Sequence, residues 1–194
     1  MKKTILALFL TFSGIAHGQY WQQSVDYNMD ITMNVKNHQY DGYQKVMYTN
    51  NSPDTLQKAY FHLYFNAFQP GSMMDVRSRT IKDPDRRVTD RIYGLGQDEI
   101  GFQEVRELTQ NGMPLGWEVN GTVLKCALAE PLLPGESTTF EMRWNAQVPK
   151  QIRRSGWNNK EGVEFTMTQW YPKLAEYDKD GWHPDQYVGR EFYG

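Results

Sequence analysis

From residue 25 to residue 35 the chain alternates without interruption. Val25, Tyr27, Met29, Ile31, Met33 and Val35 are apolar, and Asp26, Asn28, Asp30, Thr32 and Asn34 fill the gaps. Successive side chains of an extended strand point to opposite faces, so this period gathers the apolar groups on one side. A helix would scatter them around its surface. The segment predicts a half-buried β-strand, and such a strand needs partners.

The partners follow along the chain. Asn37-His38-Gln39 reads as a turn and residues 40–49 as the next strand, until Asn50-Asn51-Ser52-Pro53-Asp54 breaks the pattern. Residues 59–68 carry Tyr60, Phe61, Leu63, Tyr64, Phe65 and Phe68, which predicts a strand buried on both faces. Short strands at 105–108, 117–119 and 122–128 are separated by Asn111-Gly112 and Asn120-Gly121. Asn-Gly between β-formers is a hairpin signal, because both residues accept a positive φ. After a turn at 131–135, residues 137–148 place Phe140, Met142, Trp144 and Ala146 on one face and Glu141, Arg143 and Asn145 on the other. Residues 149–162 read as a polar loop, and Val163, Phe165 and Met167 resume the alternation. Residues 69–101 have no clear period. Their mixed charges predict a solvated loop or a short polar helix, and a loop of that length in a compact domain serves function or packs on a partner. The fold class that results is all-β: an antiparallel sandwich or a saddle-shaped curved sheet with long polar loops.

Residues 1–18 have the three parts of a secretory signal peptide. Lys2 and Lys3 are the basic start, an apolar run begins at Ile5, and Ala16-His17-Gly18 supplies the small-x-small cleavage pattern. Cleavage there leaves a β domain at 19–194, starting at Gln19, in the periplasm or outside the cell. The apolar run is too short to serve as a membrane anchor, and no later segment is long enough to span a bilayer. Residues 173–194 are rich in Gly, Pro, Asp and aromatics and stop without a closing strand. This predicts a chain cut partway through a larger protein.

Composition and motifs exclude much chemistry. The net charge is −2, and −4 without Lys2 and Lys3, so there is no basic field for nucleic acid. Cys126 is the only cysteine, which rules out an intrachain disulfide and a thiolate zinc cluster; it lies in an apolar run and reads as a buried, inert thiol. His38 falls in a turn, His62 in a buried strand as a satisfied core histidine, and His183 in Trp182-His183-Pro184. No helical pair of metal-ligating histidines occurs. Neither a nucleophile elbow nor a glycine-rich phosphate loop is present. No catalytic residue and no metal ligand is therefore assigned in this chain.

Gln169 stands out, at the end of the alternating strand in Thr166-Met167-Thr168-Gln169-Trp170-Tyr171-Pro172-Lys173. A neutral amide among aromatics can offer its carbonyl oxygen to an ammonium group; it can equally satisfy local backbone as a strand-end amide. This segment resembles the N-terminal domain of the zinc aminopeptidase family that includes aminopeptidase N and leukotriene hydrolase, in an exported bacterial branch. The resemblance covers roughly residues 20–194. It rests on Asn50-Asn51-Ser52-Pro53-Asp54-Thr55-Leu56, His62-Leu63-Tyr64-Phe65-Asn66-Ala67-Phe68-Gln69-Pro70, Gln151-Ile152-Arg153-Arg154-Ser155-Gly156 and Met167 to Lys173, in that order. It implies a saddle-shaped β domain followed by a thermolysin-like domain that carries the zinc. That second domain, with its His-Glu-x-x-His motif, is missing from this chain. By family position, Gln169 would bind the free α-amine of a peptide substrate. The family's Ala-Arg and its Pro-Cys-x-Asp-x-Pro box are absent, since Pro172 already follows Gln169 by three residues. An exported β-sandwich binding module, for instance one that grips glycans on exposed Trp and Tyr, is the alternative.

Overall fold

The alternation at residue 25 becomes strand β1 (Ser24–Asn34), which pairs along its whole length with β2 (Gln39–Thr49). The computed structural model describes residues 20–189. The leader (1–18), the start at Gln19 and residues 190–194 lie outside the described residues. Three more strands follow, β3 (Leu56–His62), β4 (Phe102–Gln110) and β5 (Met113–Pro114). Next come β6 (Trp117–Asn120), β7 (Val123–Leu132) and β8 (Ser137–Gln147). Five short strands close the order: β9 (Gly156–Trp157), β10 (Phe165–Thr166), β11 (Lys173–Leu174), β12 (Tyr177–Asp178) and β13 (Gly181–Trp182). The fold is all-β, as the patterning requires.

Two antiparallel sheets carry the core. The larger has the order β1-β2-β8-β4-β5 and the smaller β11-β3-β7-β6. In the larger sheet Gly42 lies opposite both Ile31 and Trp144, and a Cβ on Gly42 would sit 2.4 Å from the Trp144 ring. Glycine there lets the indole lie across the strand. Phe140 of the larger sheet meets Phe61 of the smaller edge to face, with centroids 5.6 Å apart. Val46, Phe61, Leu124, Phe140, Met142 and Trp144 are all buried in this interface. Each such side chain stabilises the fold by about 1.5–3 kcal/mol relative to exposure. Cys126 is buried in the same core, donates from Sγ to the Ala59 carbonyl at 3.6 Å, and burial pushes its thiol up to about 11.

The structure departs from the sequence reading in four places. The aromatic run at 59–68 is not one strand: β3 ends at His62 and a 3-10 helix occupies Tyr64–Ala67. The cause is a polar pair. Gln103 N donates to Asn66 Oδ1 at 2.8 Å, and Phe65 N donates to Gln103 Oε1 at 3.2 Å, which draws the backbone away from the ladder. The Asn111-Gly112 turn forms as read, with both residues at positive φ. The second hairpin turns instead on Gly121-Thr122, because Asn120 pairs with Val123 and only Gly121 has positive φ. The alternation at 163–167 yields only the two-residue strand β10, paired with β9. Finally, residues 69–101 hold helix α1 (Met73–Thr80), capped by Ser72. They also bury Met74, Val88 and Ile92, so this segment is partly core rather than solvated throughout. No helix among the described residues is long and apolar enough to cross a membrane.

Candidate functional site

Gln169 sits where the chain leaves the β9–β10 ribbon and crosses onto the apolar face of the large sheet. Gly156 makes the ribbon possible: at φ 141° a Cβ there would lie 2.3 Å from the Gln151 backbone. The residue before it, Ser155, is buried and donates from Oγ to the Thr168 carbonyl at 3.0 Å; its Oγ also lies 2.7 Å from Thr168 Oγ1. Gln169 itself has φ 56°, the left-handed region that non-glycine residues seldom enter. Its carbonyl accepts from Gln103 Nε2 at 3.5 Å. The Trp170 carbonyl accepts from the Tyr40 hydroxyl, and the Pro172 carbonyl from Gln44 Nε2 at 2.9 Å. Leu174 N then donates to the Tyr27 hydroxyl at 2.9 Å. Strands β1, β2 and β4 thus hold this segment by side chains, until residues 173–174 join β3. Burial keeps the Tyr27 and Tyr40 phenols well above their usual pKa, so both stay neutral at physiological pH.

The rings add packing to these tethers. Trp170 stands 6.2 Å from both Trp144 and Tyr40, and Tyr171 meets Tyr27 at 5.3 Å. The Gln169 side chain is half-buried and makes no hydrogen bond within the described residues. It is therefore not a strand-end amide satisfying local backbone, because Ser155 and Gln103 serve that backbone instead. The result is a free amide on a fixed base. It can present a carbonyl oxygen to a cation or an amide N–H to an anion.

The histidines do not gather around it. His38, in the β1–β2 turn, lies flat on Trp157 with centroids 4.0 Å apart. His62 is in the core, 2% exposed, and its ring stacks on Tyr64 with centroids 4.9 Å apart. Burial pushes its pKa down to about 4 against a smaller upward pull from the His183 backbone, so the ring is neutral. His183 Nε2 lies 2.8 Å from Asp178 Oδ1 and helps hold that carboxyl below its usual range. Among the described residues no three His, Cys, Asp or Glu side chains converge as a metal site would require.

Among the described residues two larger hollows stand out, and Gln169 lines neither. One, of about 410 Å³, is bordered by Asn66, Gln69, Gln103 and Trp117 among others. The other, of about 740 Å³, lies between residues 20–27 and 173–179. Sequence reading missed this second cleft. Its only local signals are the aromatic residues at 20–21 and 177, which look unrelated until the fold brings the two segments together.

No family model and no curated protein matches the chain. Among solved structures, the M1 zinc metallopeptidase from Deinococcus radiodurans is similar over 76% of this chain and 26% of that one, with 14% identity and a TM-score of 0.45. A two-domain M1 zinc metallopeptidase bound to L-arginine overlaps at a TM-score of 0.46, with 14% identity over 76% of this chain and 27% of that one. The chain thus spans about a quarter of the length of these structures.

Proposed function

We propose that residues 19–194 are the substrate-cleft β domain of an exported zinc aminopeptidase, and that Gln169 contacts the free α-amine of the peptide substrate. The order of four motifs along the sequence supports the family reading. The observation that carries the site is the free Gln169 amide on a backbone whose neighbouring carbonyls are already taken. An α-ammonium that enters a cleft loses water and needs acceptors there. Gln169 supplies one without adding a charge. The described residues do not fit a zinc ion. In this proposal the metal, and the water it would activate, belong to a further domain, and no step is routed through it.

The discriminating observation is the downstream coding sequence. A His-Glu-x-x-His motif within about one further domain favours the peptidase; a glycan-processing domain or a stop codon favours the binding-module alternative. In the chain that carries the metal domain, Gln169→Ala is expected to lower kcat/KM for free-amino substrates. A hydrogen bond to a charged group is worth about 1.5–3 kcal/mol, roughly 10- to 100-fold. Zinc content and melting temperature should hold, and discrimination against an N-acetylated substrate should shrink. Full activity in Gln169→Ala, or loss through unfolding alone, would refute the assignment. Export is tested separately: mass spectrometry of the secreted product should show a chain beginning at Gln19, and an intact Met1 would contradict it.

A further inference from the structure

The 740 Å³ cleft takes no part in the proposed amine contact, yet its size falls within the range of small-ligand sites. Tyr20, Trp21, Tyr27, Tyr48 and Tyr177 line it. Trp21 and Tyr177 stack with centroids 5.9 Å apart and planes 25° from parallel, and form an apolar wall. Four charged residues also line the cleft, Lys173, Lys179, Glu176 and Asp178, and their charges cancel. Lys179 is engaged with Asp180, and Asp178 with His183. Lys173 and Glu176 are different, because neither side chain has a hydrogen bond or an ion pair among the described residues. Burial lowers the Lys173 ammonium's pKa and Glu176 opposes that shift, so the two groups sense each other without closing a bridge. Tyr48 adds a buried hydroxyl that has no partner.

We propose that this cleft is a carbohydrate site that takes a segment of a neutral oligosaccharide, with Trp21 and Tyr177 as the apolar wall and Lys173 and Glu176 as donor and acceptor to ring hydroxyls. Flat aromatic walls suit the C–H faces of a sugar ring. A donor and an acceptor lining one cleft suit neighbouring hydroxyls, each of which both gives and receives a hydrogen bond. Balanced charge gives no attraction for a polyanion. The 173–175 wall has little backbone left for a peptide ladder. Residues 173–174 pair with β3, Leu174 N is held by the Tyr27 hydroxyl, and Ala175 N by the Tyr60 carbonyl.

The test titrates the purified 194-residue chain with cellopentaose, mannopentaose, xylopentaose and chitopentaose, and follows the indole N–H signals by NMR. At least one of these should shift the Trp21 indole and leave that of Trp117, which lines the other hollow. The dissociation constant should rise roughly tenfold in Trp21→Ala, which removes one stacking ring. Lys173→Met should also weaken binding, and it tests the proposal if Trp21→Ala fails to fold, since Lys173 joins β3 through its backbone. The proposal is overturned if none of the four sugars shifts Trp21, or if the shift survives both substitutions. It is equally overturned if the tripeptide Tyr-Ser-Ala moves the Trp21 signal while no sugar does, which would make the cleft a peptide site. Gln169 does not line the cleft, so its amine contact is tested by Gln169→Ala and not by these titrations.

Discussion

Strand β8 runs inside the large sheet and the segment 168–174 crosses that sheet's apolar face, but different bonds hold them there. β8 pairs through its backbone with β2 on one side and β4 on the other. The segment's Thr168, Gln169, Trp170 and Pro172 carbonyls are taken one by one by Ser155, Gln103, Tyr40 and Gln44. A backbone ladder survives most side-chain changes, because every residue brings the same N–H and C=O. A side-chain tether exists only while its one residue does. Substitutions in β8 should therefore act through packing and on the whole fold. Substitutions among the tethers should act locally.

The largest expected effect tests the first half of that contrast. Trp144 is buried in the core, and Trp144→Ala should cost about 3–5 kcal/mol in denaturant unfolding. A loss near 1 kcal/mol, comparable to that of a single hydrogen bond, would erase the difference between the two regions.

The second effect concerns His62, on β3 beside the end of the tethered segment. Its pKa is pushed from 6.5 to about 4 in the folded chain, so the unfolded chain binds the proton first as pH falls. Its stabilising contribution is complete above about pH 6.5 and is lost between there and pH 4, by about 3 kcal/mol in total. Asp85 also loses stability in acid, because Arg87 and Arg153 hold its carboxyl far below the usual range. The measurement is therefore a difference. Between pH 6.5 and pH 4, His62→Phe should lose less stability than the wild type. Parallel curves would show that His62 finds a partner for its proton in the folded state.

The smallest effect sharpens the tether side. Gln44→Met removes the hydrogen bond to Pro172 and, with it, the buried Gln44 Oε1, which has no partner. Volume is nearly conserved, so global stability should change by less than about 1.5 kcal/mol. Hydrogen exchange at residues 168–171 and 173–174 should nevertheless speed up, while β8 stays protected. Equal change in both regions would mean that the segment is part of the cooperative core.

Much of the fold was legible because its cause is local. The alternation in β1, β2 and β8 is a property of consecutive residues, and a sheet that covers one face accepts no other register. The Asn111-Gly112 turn is equally local. The same argument failed at 59–68, where aromatic density suggested a continued strand. What stops β3 is Asn66 meeting Gln103, residues separated by 37 positions. Sequence also picked out Gln169 as a residue type, an amide among rings, and left open whether it served the backbone or a ligand.

Only the tertiary structure shows which groups satisfy the backbone around Gln169, because they come from Tyr40, Gln103 and Ser155, in three separate parts of the chain. The same holds for the large cleft, whose walls are residues 20–27 and 173–179, about 150 positions apart in sequence. Periodicity fixes which face of a strand is buried, since that depends on neighbours in the chain. It carries no information about which distant side chain will supply a missing hydrogen bond, since that depends on where the sheets bring their edges together.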